Sequence, residues 1–431
     1  MVLPKSYGIA AGWPLAPGQV LGFTPAPPPP NPLRVVGTAG EVNYLFTGSA
    51  VTTGTAIHEH RTRAFIGPGG VKAGTARISN HAFRGLPGSE PDAPSYLVRS
   101  HIEYNGVAYV STYGGAAKGT VAAGAVDIQS DPHTGCPDIP AGALVWIVRR
   151  REYAVGVTPH YLYNATFSPV ISGQGYNRGD GSGATAIGVA GPMPGGTGWT
   201  AIDSLYAPPV LLGEPITPSA ARPFIICGAS IEYANNDATG DGANGAGAYM
   251  RRALSDGGGT KYPWINMAVG SEASNQFISA STRRRTYLQY AAGGVAVNGY
   301  GGNDFTNGAS PDDTWANFLT INGYFKAAGI LRTAVVRAHV KSNSTDNYAT
   351  TTNQTPRGSF PSWRASMDAK AAASLADGTI GLYLDDSAAI EASGNIWKAP
   401  GYTTDGTHPE KIGHDAMYPI IRQQLANGGF L

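Results

Sequence analysis

The apolar positions of the chain fall into two regimes. From about residue 35 to 210, short apolar or alternating runs recur between clusters of Gly, Pro and Asn: "EVNYLF", "TAIHEHRTRAFI", "SYLVRSHIEY", "VAYVSTY", "ALVWIVRRREYAV" and "TAIGVA". β-branched and aromatic residues dominate these runs, and no long segment carries a helical period. This stretch therefore predicts an all-β region of the sandwich type. After "YAPPVLLGEPITPSAARP" the pattern changes. Apolar strands over 223–227, 263–267, 293–298, 331–337 and 379–384 alternate with helical segments over 242–255, 273–290, 311–328, 361–376 and 409–426. Such alternation predicts a parallel sheet with helices on both faces. One helix start is explicit. "SPDDTW" offers Ser310 as N-cap, Pro311 at the first helical position and acids in the first turn. Upstream, the run Pro27–Pro30 excludes a helix and favours a stiff extended segment. The chain thus reads as a Pro-rich segment over 1–35, a β-sandwich-like accessory domain over 36–215 and an α/β domain over 216–431.

In an open parallel sheet, ligands bind beyond the carboxyl ends of the strands. The loops after the predicted strands are therefore where chemistry is sought. In "FIICGASIEYANND" the first strand runs into Gly228-Ala229-Ser230, which puts a serine at the strand tip. A serine nucleophile needs a base, a group that orients the base, and donors for an oxyanion. "TTDGTHPEKIGHDAM" places Asp405 three residues before His408, ahead of a helix that Pro409 can open, so the carboxylate can accept from the imidazole. "VNGYGGNDF" puts Asn303 in a loop after a strand, and its amide has two N–H donors and no charge. "INMAVGSEAS" also ends a strand, and Gly270 there allows close approach of a backbone N–H.

These four stretches resemble the four blocks of the SGNH hydrolases, also called GDSL-type esterases. The likeness spans roughly 223 to 425, about half the chain. It implies a flavodoxin-like three-layer α/β/α fold and ester cleavage without a cofactor or a metal. By the same resemblance, Ser230 is the nucleophile, His408 the base and Asp405 its partner. The N–H of Ser230, an N–H of Gly270 or Ser271, and the Asn303 side chain would form the oxyanion hole. Two positions depart from the family pattern. The first block usually reads Gly-Asp-Ser, whereas this chain has Gly228-Ala229-Ser230. The glycine of the second block commonly stands one place later, where this chain has Ser271. A β-rich region joined to such a half suggests, by analogy with modular members, an acylated polymer as partner, with acetyl groups on a polysaccharide the first choice. The rival readings are an acyltransferase using the same three residues, and a non-catalytic carbohydrate-binding or phage-tail structural module.

Composition narrows the remaining classes. Charged residues are only 14%, against a usual quarter, while Gly reaches 59 and Pro 32. A polar, weakly charged surface of this kind suits an extracellular, periplasmic or virion-associated protein. A net charge of +1 gives no field to attract nucleic acid. The triplets Arg149-Arg150-Arg151 and Arg283-Arg284-Arg285 read as solvated edges of a strand and a helix. No run of eighteen apolar residues is present to span a membrane, and the first residues lack the pattern of a signal peptide. Two cysteines do not make a disulfide framework, and Cys227 reads as a buried thiol within a strand. His58-Glu59-His60 offers two same-face ligands, too few for a closed zinc site, so it reads as ordinary strand polarity. His414 reads as a surface histidine. The Gly-rich stretch 179–191 lacks the lysine of a phosphate loop, and 237–245 lacks the closing glutamate of a calcium loop.

Overall fold

The computed structural model describes residues 33–42, 46–47, 56–158, 160–161, 175–179, 187–191, 200–201, 209–237, 247–255 and 259–431. The Pro-rich segment up to residue 32 and most of the Gly-rich stretches at 179–191 and 237–245 lie outside the described residues. From Arg34 to Gly213 the described elements are all strands. The long ones are β1 (Ala56–Phe65), β2 (Tyr96–Tyr104) and β3 (Leu144–Tyr153). β3 lies between the other two and pairs antiparallel with both. A second antiparallel sheet is formed by Arg34–Val35, Val210–Gly213, Arg77–Asn80 and Ile128–Gln129. Val145 and Ile147 of β3 pack with Ile78 and Leu211 of the second sheet. Period-two alternation places such residues on one face.

The central position of β3 corrects the reading of its arginines. Arg149 and Arg151 are fully buried. Arg149 Nε donates to His60 Nε2 at 2.8 Å, and Arg151 lies against the rings of Tyr96 and Tyr153. A strand hydrogen-bonded on both sides has no solvated edge, so its polar residues are held by neighbouring strands.

The second half is a parallel sheet of β4 (Phe224–Cys227), β5 (Trp264–Asn266), β6 (Val295–Asn298), β7 (Arg332–Val336) and β8 (Leu382–Leu384). Its order is β5-β4-β6-β7-β8, the flavodoxin-like arrangement. Each strand sends alternate residues to opposite cores. Ile225, Cys227, Ile265, Ala296 and Val335 enter one core, and Phe224, Ile226, Trp264, Val297 and Ala334 the other. Both faces are covered, which is why these strands read as continuous apolar runs. The second core is closed by α2 (Tyr249–Ser255) and α7 (Lys411–Asn427), and the first by α3 (Ser274–Ala280), α5 (Pro311–Ala327) and α6 (Phe360–Ala376). Two short helices, α1 (Ser230–Tyr233) and α4 (Gly302–Thr306), follow β4 and β6. Ser310 caps α5 as predicted, accepting from the Asp313 N–H at 3.1 Å.

Some boundaries differ from the sequence reading. The helix expected over 273–290 stops at Ala280, resumes at Thr282–Arg285 and tightens into a 3-10 turn over Thr286–Ala291. Ser281 causes the break. Its hydroxyl bonds back to the Phe277 carbonyl, a local alternative to helix propagation. The last helix starts at Lys411 after Glu410, not at Pro409. Arg284, expected at a solvated helix edge, is fully buried between Glu272 and Glu90, with bonds of 2.7 and 2.8 Å.

The two halves share a core. Val35, Val42, Phe83, Val210 and Leu212 pack with Ile225, Ile265 and Tyr287. The segment 37–42 also runs along the exposed side of β5. Gly37 O accepts from Trp264 N, Gly40 O from Asn266 N, and Asn266 O from Val42 N. An otherwise open sheet edge is thereby covered by the chain itself. The approach requires glycine at 40, where a Cβ would lie 2.7 Å from the Trp264 carbonyl oxygen.

Candidate active site

β4 is the strand at which the order reverses, with β5 on one side and β6 on the other. A crevice opens beyond the carboxyl ends at such a point. Ser230 stands there, at the first position of α1. The loops after β5 and β6 flank it, and each starts with the same device. Asn266 Oδ1 accepts from the Ala268 N–H at 3.1 Å, and Asn298 Oδ1 accepts from the Tyr300 N–H at 3.1 Å. Both strands thus end in a side-chain turn that bends the backbone out of the sheet.

Ser230 Oγ lies 2.8 Å from His408 Nε2, and His408 Nδ1 lies 2.6 Å from Asp405 Oδ2. The tautomer follows from the partners. An ionised carboxylate only accepts, so Nδ1 carries the proton and Nε2 is left to accept from the serine hydroxyl. Asp405 Oδ1 takes the backbone N–H groups of Thr407 and His408, both at 2.8 Å. Burial acts to raise the Asp405 pKa. The hydrogen bonds from the His408 ring and backbone outweigh it and hold the carboxyl well below the usual range. The carboxylate therefore keeps its charge, and with it the orientation of the ring.

The other expected residues border the same crevice. Asn303 Nδ2 donates to the Glu272 carbonyl at 3.1 Å, which ties the loop after β6 to the loop after β5. Asp304 accepts from the N–H groups of Gly301 and Ser274, both at 3.1 Å, and fixes the turn that carries Asn303. Among the described residues, the N–H groups of Gly270 and Ser271 are taken up by no backbone hydrogen bond. Ser271 has φ +64, the left-handed region that favours glycine. A serine thus makes a turn that glycine adopts more readily.

Sequence reasoning missed Glu232. Its side chain is 1% exposed. Oε2 accepts from the Ala229 N–H at 3.0 Å, and Oε1 accepts from the Tyr249 hydroxyl at 2.8 Å. The carboxylate fills the space beside Gly228 and Gly299, where an added Cβ would lie 2.4 Å from it in each case. Ala229 has no polar side chain, and Glu232, three residues on, supplies a carboxylate beneath the turn. The signal was present as a glutamate at the third helical position, the acidic half of a capping box. Burial raises the Glu232 pKa, against the opposing pull of His339 and these hydrogen bonds. The network continues inward. Tyr249 N–H donates to His414 Nδ1 at 3.2 Å, and His414 is fully buried rather than at the surface. The inward face of α7 carries it against α2, and burial lowers its pKa well below the ordinary value.

His58, Glu59 and His60 lie far along the sequence from this crevice, in β1, and all three are buried. Among the described residues no helix is long and apolar enough to cross a membrane.

No known family model matches the chain, and no curated protein sequence is significantly similar to it. Solved structures are similar to it in part. A GDSL-like lipase from Bacteroides thetaiotaomicron matches 48% of this chain and 88% of its own, at 17% identity and a TM-score of 0.35. A psychrotrophic esterase from Pseudoalteromonas, inhibited by monoethylphosphonate, matches 48% of this chain and 97% of its own, at 13% identity and a TM-score of 0.36. A family two carbohydrate esterase from Clostridium thermocellum, in complex with cellohexaose, matches 93% of this chain and 100% of its own, at 11% identity and a TM-score of 0.37.

Proposed function

We propose that the protein is a serine ester hydrolase of the SGNH type, with Ser230 as nucleophile, His408 as general base and acid, and Asp405 as the group that orients His408. The observation that carries this reading is the continuous hydrogen-bonded series from Ser230 Oγ through His408 to Asp405. Ser230 Oγ attacks the ester carbonyl carbon while His408 Nε2 takes its proton. The carbonyl oxygen becomes an oxyanion, which the N–H of Ser230, an N–H of Gly270 or Ser271 and the second amide hydrogen of Asn303 stabilise. Collapse expels the alcohol, protonated by His408, and leaves an acyl-serine. Water, deprotonated by His408, then attacks the acyl carbon and releases the acid. The N–H of Ser230 suits this role because the first N–H groups of a helix have no intrahelical acceptor.

The substrate we favour is an acyl ester of a carbohydrate, with acetyl as the acyl group. Transfer of the acyl group to a sugar would use the same residues and differ only in excluding water. A purely binding module has no use for a nucleophile poised 2.8 Å from its base. The test is hydrolysis of 4-nitrophenyl acetate by the wild type and by Ser230→Ala, with folding checked by circular dichroism. Turnover by a folded wild type, lost in a folded variant, is the expected result. Equal rates would refute the assignment.

A further inference from the structure

The loop after β7 carries a lysine, largely buried along its stem, that the mechanism above does not use. Lys341 is 3% exposed, and among the described residues its Nζ makes no hydrogen bond or ion pair. The side chain runs beneath the start of α4, the helix that bears Asn303. A Cβ added at Gly302 would lie 3.5 Å from Lys341 Cε and 3.8 Å from Nζ. Arg357 stands beside it and donates to Lys341's neighbours rather than to any carboxylate. Its guanidinium reaches Thr407 Oγ1 at 3.2 Å, Ser342 O at 3.2 Å and Asp405 O at 3.4 Å. Two cations thus border the loop of Asp405 and His408. The Asp405 carboxylate is already engaged by the His408 ring and two backbone N–H groups.

An ammonium with no carboxylate within ion-pair distance, held at the border of a crevice, leaves room for a ligand of opposite sign. We propose that Lys341, backed by Arg357, is a subsite for a carboxylate carried by the ester substrate, so that the preferred substrates are anionic esters such as acylated uronic acid residues of an acidic polysaccharide. This deepens the ester-hydrolase reading and rests on it. Burial, reinforced by Arg357 and opposed by Asp405, brings the ammonium down to about 8, which leaves it charged at neutral pH. Lys341 acts here on specificity. Its place beside the Gly302–Asn303 turn puts the charge next to the acyl-transfer geometry without making it part of the proton relay.

The experiment compares matched esters on the full chain. For a carboxylate on the alcohol side, 4-acetoxybenzoate is set against neutral 4-acetoxybenzamide. For one on the acyl side, the phenyl monoester of glutaric acid is set against phenyl pentanoate. The wild type should favour the anionic member of at least one pair in kcat/KM, and the pair that responds identifies the side. Lys341→Met should reduce that preference at least tenfold, mainly through KM, and Lys341→Arg should restore part of it. Lys341→Met should also unfold at no lower denaturant concentration than the wild type, since it removes an unpaired charge. Titration calorimetry with 4-acetamidobenzoate, an amide that is not turned over, measures the subsite apart from catalysis. Carboxylate binding that is lost in Lys341→Met, in a protein that hydrolyses no ester, would refute the hydrolase and keep the subsite. No preference and no binding in the wild type, or a preference that Lys341→Met retains, would overturn the subsite whatever the fate of the hydrolase.

Discussion

Glu232 gives the sharpest test of how the turn carrying Ser230 is held. It accepts two buried hydrogen bonds, from the Ala229 N–H at 3.0 Å and the Tyr249 hydroxyl at 2.8 Å. Glu232→Ala removes both acceptors at once and opens a void between Gly228 and Gly299. A buried donor left unpaired costs about 1–3 kcal/mol. Two of them give a loss of about 4 kcal/mol at the middle of that range. Glu232→Gln has nearly the same shape. Its carbonyl can face the Ala229 N–H, and its amide can donate to the Tyr249 oxygen, since a phenol accepts as well as donates. Its cost should therefore be about 1 kcal/mol. The assay is equilibrium urea unfolding alongside kcat for 4-nitrophenyl acetate per folded molecule. We expect Ala to lose most of the stability margin and to lower kcat, because the turn carrying Ser230 is no longer anchored. Gln should retain most of both. If Ala matched the wild type in unfolding free energy and kcat, the carboxylate would not be what fixes the turn. If Gln were as damaging as Ala, the charge rather than the two acceptor positions would matter.

Asn303→Ala should lower kcat by about 10² to 10³ with a smaller change in KM, as for loss of one oxyanion donor; reduced thermal stability with unchanged kcat would leave Asn303 only its bond to the Glu272 carbonyl. Glu59 is fully buried, and burial, against the pull of Arg150, raises it from 4.5 to about 7. The folded state thus holds this proton more tightly than the unfolded chain, so the contribution is complete below about pH 4.5 and is lost as pH rises through about 7. At about 1.4 kcal/mol per pH unit of difference, the loss is about 3 kcal/mol. Glu59→Gln should remove that decline, seen as a smaller fall in unfolding free energy between pH 4.5 and 8; a variant with the same pH slope as the wild type would contradict it.

Elements whose signals are local could be read from the residues alone. The five parallel strands were legible because each is a short apolar run buried on both faces, and α5 because Ser310 and Pro311 mark its start. The segments bearing Ser230, Asn303, Asp405 and His408 stood out in the sequence because each places a polar side chain at the end of a strand or just before a helix, at short spacing. Features that depend on partners distant in the chain became clear only from the folded structure. Arg149 and Arg151 look solvated in a charged triplet but lie in the middle of a sheet, and Arg284 is buried because Glu90, nearly two hundred residues away, returns to meet it. Gly37 to Val42 reads as a loop and serves as the cover of a sheet edge. Glu232 stands under the turn carrying Ser230 because two glycines, one of them sixty-seven residues past it, leave room for its carboxylate. Lys341 has an ordinary sequence context, and its place beside Gly302 arises only when the loops after β6 and β7 converge. A pattern of apolar positions encodes which face of an element is buried. It does not encode which polar groups another element will bring to that face, because that depends on pairing and packing settled by the whole fold.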